Sequence, residues 1–200
     1  IAFIIGLGSG AAVLIGQAWG AKKPEAVKTV AGTTLSVGFI VGLAVALLGG
    51  PFANALLGWL STPADILQDA TLYASVMLYA MPGLFVYLLA TAMMRGVGDT
   101  RTPLRTLALS TSIGLVLTPT FIRGWFGLPQ LGVASGAAAT IISFTIALLW
   151  LAFFLRRRNH PLAPDAVLAR HLWVDFGVLK TVLKIGVPTG VQLVVISIAE

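Results

Sequence analysis

Long uncharged runs separated by short charged turns set the pattern of this chain. Residues 70–94 hold no Asp, Glu, Lys or Arg, and neither do residues 106–122. The first of these runs is 25 residues long, about 38 Å of helix, enough to cross a hydrocarbon core of about 30 Å with some tilt. On this basis six spans are expected: residues 1–21, about 30–50, 70–94, 103–122, 133–155 and one from about 185. Ala26–Thr29 should begin the second helix, with Lys28 near its start. A short helix is expected after Trp59, capped by Ser61 or Thr62 and with Asp65 near its positive end. The turn from Arg95 to Arg105 separates the third and fourth spans. In it Gly96 and Gly98 let the backbone reverse, Asp99 can accept bonds from nearby N–H groups, and Pro103 suits a first helical turn. Arg123 to Gln130 forms another turn, with Trp125 and Phe126 at interface depth.

Four prolines interrupt or flank the spans: Pro51, Pro82, Pro119 and Pro188. Each frees backbone carbonyls and bends its helix, which a membrane protein tolerates where neighbours or a wet cavity satisfy those groups. Pro82, Thr118, Pro119 and Gln192 are therefore candidates for helix breaks or cavity lining.

Composition then fixes the solvent. Hydrophobic residues are 58% of the chain and charged residues 10%, against roughly 25% charged in soluble domains. The fold class expected is an all-α polytopic membrane protein. The net charge of +6 would suggest nucleic acid in a soluble protein. Here it has another cause. With six spans, the segments 22–28, 95–105 and 156–184 share one face and hold 12 of the 13 Lys and Arg residues. The positive-inside rule places them in the cytoplasm. With no Cys in the chain, disulfides and thiolate metal sites are excluded.

Within 164–184, Trp173, Phe176, Leu179, Val182 and Leu183 recur at helical spacing, with Lys180 and Lys184 on another face. This predicts an amphipathic helix on the inner leaflet. Gly-xxx-Gly pairs at 6/10, 16/20, 38/42, 132/136 and 186/190 predict close helix packing. Gly96-x-Gly98 lacks the strand, third Gly and Lys-Ser/Thr pair of a phosphate loop. His160 and His171 have no ligand cluster beside them and read as solvated. No catalytic residue, metal site or cofactor is expected.

Glu200 is the one acid within an expected span. It lies twelve residues past Pro188, about 18 Å along the helix and near mid-bilayer. An ionisable group there faces a bundle interior or a wet path, and burial raises its pKa. Glu200 is therefore a candidate to exchange a proton near neutral pH or accept a cation.

Four stretches, in order, resemble the MATE (multidrug and toxic compound extrusion) transporters. They are Gly16-Gln17-Ala18-Trp19-Gly20-Ala21, the turn Arg95-Gly96-Val97-Gly98-Asp99-Thr100-Arg101-Thr102-Pro103, Leu131-Gly132-Val133-Ala134-Ser135-Gly136-Ala137-Ala138, and Leu183-Lys184-Ile185-Gly186-Val187-Pro188. The resemblance implies a two-lobe, twelve-helix transporter of which helices two to seven are present. Residues 1–155 would be most of the first lobe, 156–184 the cytoplasmic linker and 185–200 the start of the second lobe. Ile1 and Glu200 both sit inside apolar runs, as expected of a fragment.

The function the resemblance implies is antiport: cationic amphipathic drugs or toxins leave in exchange for H⁺ or Na⁺ by alternating access. The partners are then small cationic substrates and membrane lipids, for a monomer in the plasma membrane, expected to be a bacterial inner membrane. Arg95, Gly96, Gly98, Asp99, Thr100 and Pro103 would be a structural loop. Many members carry Asn and Asp four apart before the proline of the fifth helix, where this chain has Gly114 and Thr118. Two alternatives stay open: a lipid-linked sugar flippase of the related superfamily, and an uncoupled channel or structural membrane subunit.

Overall fold

A computed structural model describes residues 2–63, 65–124, 134–165, 168 and 170–199. Among these the secondary structure is helix and turn, without a strand. The helices are α1 (Ala2–Gly20), α2 (Pro24–Gly49), α3 (Ala53–Trp59), α4 (Leu67–Tyr79), α5 (Met81–Gly96), α6 (Arg101–Arg123), α7 (Ala134–Arg157) and α8 (Phe176–Ala199). Of these, α1, α2, α6 and α7 are each long and apolar enough to cross a membrane, and α4 with α5 makes a fifth such span, bent by 50°. The sixth expected span, from about residue 185, overlaps α8, which among the described residues is not one of these. Leu115 is 72% exposed and Leu149 66%, an exterior suited to lipid rather than water.

The bend between α4 and α5 has a cause in sequence. Pro82 has no N–H, and its ring excludes the carbonyl one turn back. Helical bonding stops with Ala80 N–H donating to the Val76 and Met77 carbonyls at 3.2 Å, and resumes with Leu84 N–H donating to the Ala80 carbonyl at 3.1 Å. The third span is thus two helices rather than one.

Other boundaries differ from expectation. α2 starts at Pro24, whose fixed φ suits a first helical position. Ser61 and Thr62 cap no helix: Ser61 has φ 57° at the end of α3, and α4 starts from Ile66 without a side-chain cap. The amphipathic segment and the sixth span are one helix, α8. Asp175 starts it, its Oδ1 accepting Gly177 N–H at 2.8 Å and Val178 N–H at 3.1 Å, as an N-cap does. Trp173 and Phe176 are exposed while Val182 is fully buried, so the apolar spacing there marks packing within the protein at Val182. Apart from Arg123 and Gly124, the turn at 123–130 lies outside the described residues.

The chain groups into two compact units. The first comprises Ile1–Phe39, Phe85–Arg105 and Trp150–Glu200. Its core includes Leu7, Ile15, Leu89, Met93, Met94 and Leu151, all fully buried. In it α1 packs along α8, and the glycine pairs 6/10 and 186/190 meet. A Cβ on Gly6 would lie 2.7 Å from the Gly186 carbonyl oxygen, and one on Gly10 would run into the Val182 carbonyl. Only glycine lets these backbones approach so closely. The second unit comprises Ile40–Leu84 and Thr106–Leu149, with α3 packed on α4.

Candidate functional site

The turn between α5 and α6 belongs to the first unit. Asp99 N–H donates to the Met94 carbonyl at 3.0 Å and Gly98 N–H to the Arg95 carbonyl at 3.1 Å. Gly98 takes φ +82°, the left-handed conformation that closes a helix end. Asp99 then starts α6. Its Oδ1 accepts Arg101 N–H at 3.1 Å and Thr102 N–H at 3.0 Å, and its Oδ2 accepts the Thr102 hydroxyl at 2.5 Å. Burial pushes this carboxyl up, but those bonds and nearby His160 outweigh it and hold the pKa below the ordinary carboxylate value. Pro103 sits in the first turn of α6, and Thr100 is exposed.

Neither histidine is a solvated linker residue, because the segment after α7 folds back on α2 and on this turn. The His160 side chain is 14% exposed, with Nε2 3.6 Å from Asp99 Oδ2. Its Nδ1 accepts Leu162 N–H at 3.2 Å, which places the ring proton on Nε2, toward Asp99. Burial and Lys28 lower its pKa against the pull of Asp99. His171 Nε2 lies 4.0 Å from Glu25 Oε2, and its carbonyl sits where a Cβ on Gly32 would be. Lys28, expected as a juxtamembrane charge, is buried: its Nζ donates to the Ala163 carbonyl at 2.9 Å and to Asp165 Oδ2 at 2.6 Å. The Lys28 bond is the main cause holding Asp165 below the usual carboxylate range.

The second unit holds two cavities. A cavity of about 470 Å³ lies between α6 and α7, with Ser110, Gly114, Thr118 and Pro119 on one wall and Ser143 and Phe144 on the other. Thr111 and Thr140 also line it. A smaller cavity of about 70 Å³ opens on the bend between α4 and α5 beside Met81 and Gly83, and shares Thr140 and Phe144 with the first. The hydroxyls have a common orientation. Ser110 donates to the Leu107 carbonyl at 2.9 Å, Thr140 to Gly136 at 2.7 Å and Ser143 to Ala139 at 2.6 Å. A hydroxyl has one hydrogen and two lone pairs. With the hydrogen committed to its own helix, each oxygen has lone pairs to offer a ligand. Among the described residues, no Asp, Glu, Lys or Arg lines either cavity.

Of the residues singled out from sequence, Thr118 and Pro119 line the larger cavity and Pro82 lies at the bend beside the smaller one. Gln192 is exposed on α8 and lines neither. Glu200 lies outside the described residues. Ser110, Thr140, Ser143 and Phe144 were not singled out. For Ser110, Thr140 and Ser143 the signal was a hydroxyl on α6 or α7, without the pairing of those helices; Phe144 carried none.

A family model described as MatE matches residues 1–120, more than half of the chain. The chain belongs to the MatE family. It is 42% identical over 200 residues to "Probable multidrug resistance protein YoeA" of Bacillus subtilis (strain 168), covering 100% of this chain and 43% of that protein. A solved structure titled as the outward-facing conformation of a multidrug resistance MATE family transporter of the MOP superfamily matches with TM-score 0.84 and 26% identity, over 100% of this chain and 43% of that one. The inward-facing conformation of a transporter so titled matches with TM-score 0.82 and 25% identity, over 94% of this chain and 42% of that one. The chain thus spans about 43% of the relatives it matches. This MatE chain, helical throughout its described elements, is a multi-pass membrane protein of a family whose members are transporters, not enzymes.

Proposed function

We propose that this MatE chain is part of a secondary active antiporter that exports cationic amphipathic drugs or toxins in exchange for protons or Na⁺ by alternating access. The observation that carries this reading is the cavity between α6 and α7. Acceptor oxygens and the Phe144 ring suit an organic cation, whose ammonium can donate hydrogen bonds and sit near an aromatic face. The lining has no charge, so recognition there depends on shape and donors, in keeping with a broad substrate range.

The same uncharged lining bears on coupling. Gly114 and Thr118 line this cavity where many members have Asn and Asp, so its walls have no group that exchanges a proton near neutral pH. Coupling is assigned instead to Glu200, or to acids of the second lobe. Residues 1–155 are read as most of the first lobe, 156–184 as the linker and 185–200 as the start of the second. The basic segments 22–28, 95–105 and 156–184 face the cytoplasm, in a monomer of a bacterial inner membrane.

Glu200→Gln in the full-length protein, reconstituted in proteoliposomes, tests the coupling assignment. It keeps shape and hydrogen bonding but cannot ionise. Substrate binding should persist, while export driven by an imposed H⁺ or Na⁺ gradient should be lost. Wild-type coupling in this variant would move the driving site elsewhere in the protein.

A further inference from the structure

A third cavity, with the opposite hydrogen-bonding character, lies wholly within the first unit. It measures about 360 Å³ and is enclosed by α1, α5 and α8. Its polar lining is Ser9 from α1, Thr91 and Arg95 from α5 and Thr189 from α8, and Ile5 and Leu88 are among its apolar walls. Among the described residues Arg95 is the one charged group in that lining. Among the described residues no carboxylate lies within ion-pair distance of its guanidinium. Thr91 gives its hydroxyl hydrogen to the Leu88 carbonyl at 2.9 Å. Among the described residues, the Ser9 and Thr189 hydroxyls have no such bond, so both are free to donate into the cavity.

The guanidinium is permanently charged and has five N–H donors in a planar fork, matched to two oxygens of a phosphate or carboxylate. Arg95 is exposed, so an anion can reach its guanidinium from solvent. We infer that this cavity is a binding site for the anionic head of an amphipathic molecule. The oxygens of a phosphate monoester or diester pair with Arg95 and accept from Ser9 and Thr189, while the apolar part lies against Ile5 and Leu88. The donor set fits two sources, an anionic lipid headgroup and a soluble organic phosphate. A cation is excluded from it by Arg95. This site therefore differs from the acceptor-lined cavity between α6 and α7, and it does not rest on the antiport reading.

The test uses the full-length protein in detergent, at constant ionic strength. Hexyl phosphate is titrated, with sodium chloride as the control, and the thermal midpoint is followed. Wild type should show a saturable upward shift. Arg95→Gln should weaken the apparent affinity by about tenfold or more, the scale of losing a charged, bidentate partner. Arg95→Lys should fall between the two, and Lys23→Gln, an exposed charge in the turn after α1, should match wild type. Should Arg95→Gln not fold, the Ser9→Ala, Thr189→Ala double variant replaces it and should weaken binding severalfold. Repeating the titration in phosphatidylcholine vesicles with and without phosphatidylglycerol separates the sources. Competition by phosphatidylglycerol supports the site and identifies a lipid headgroup. Binding that phosphatidylglycerol does not displace supports the site and identifies a soluble phosphate. The proposal is overturned if hexyl phosphate gives wild type no saturable shift, if Arg95→Gln binds as wild type does, or if Lys23→Gln weakens binding equally.

Discussion

The two compact units use their polar side chains differently. In the first unit these groups tie together parts of the chain that are far apart in sequence. Lys28 reaches Ala163 and Asp165, and Ser36 donates to the Leu172 carbonyl at 2.6 Å, each pair separated by more than 130 residues. In the second unit Ser110, Thr120, Thr140 and Ser143 bond carbonyls three or four residues back on their own helix. Polar groups satisfied locally leave helices free to stand apart. Both units keep open space, about 470 Å³ between α6 and α7 in the second and about 360 Å³ among α1, α5 and α8 in the first, where glycine brings α1 against α8. Cross-ties hold distant parts of the first unit together, whereas the hydroxyls lining the α6–α7 cavity are satisfied on their own helices.

The strongest way to break this contrast is at the contact between α1 and α8. Gly10→Val should drive carbons into the Val182 carbonyl and the Gly186 amide, with overpacking costing about 3 kcal/mol or more. Thermal unfolding of the full-length protein reads this. Gly20→Ala, where a Cβ would meet nothing within 4 Å, should stay within about 0.5 kcal/mol of wild type. Equal losses would show that the glycines are not what brings the helices together.

Next in size is Lys28→Met. It leaves the Ala163 carbonyl and the Asp165 carboxylate without their donor, at a cost of about 1–3 kcal/mol. Protease cleavage within 158–175 should accelerate. Unchanged cleavage would separate the ion pair from the docking of that segment.

These two sites were unequally legible in the sequence. Glycines four apart on one helix announce a close-packed face, and 6/10 with 186/190 proved to be facing pairs. Pro82 likewise marked its bend, because a missing N–H acts locally. Lys28 gave no hint of burial, since its partner lies 137 residues on. His160 read as solvated for the same reason: its neighbour Asp99 is close in space only. The early start of α8 was hidden because an apolar, amphipathic stretch looks alike on a membrane surface and at the head of a span. Thr118 entered through a family likeness, whereas Ser143 and Phe144 needed the pairing of α6 with α7.

Asp99→Ala should cost about 1 kcal/mol, as lost helix caps do, with no change in substrate preference. An altered drug profile would show that the turn lines the pathway. The pH dependence has a definite sign. The His160 pKa lies below its ordinary 6.5 in the folded protein, so the unfolded chain takes up the proton first. Stability should then fall as pH drops through 6.5, and His160→Gln should flatten that slope. Asp99, held low, contributes stability above its ordinary 3.8 that is lost as pH falls through its folded value. A slope near 6.5 unchanged in His160→Gln would assign it to another group.

The smallest stability effect belongs to the second unit. Ser143→Ala removes a hydroxyl bonded only to its own helix, so the thermal midpoint should move by no more than about 0.5 kcal/mol equivalent. Binding of a cationic dye should weaken severalfold. A large stability loss with intact binding would invert the contrast between the units.

The most direct measurement is substrate protection in the cavity itself. Thr118→Cys is placed in a full-length background stripped of other cysteines and reconstituted in vesicles, and its rate of maleimide labelling is followed. A cationic amphipathic substrate should slow that labelling in a saturable way, at concentrations matching its transport, while labelling at Asp65→Cys in the loop before α4 stays unchanged. Unprotected Thr118→Cys in a protein that still transports the substrate would contradict the assignment of this cavity to substrate binding.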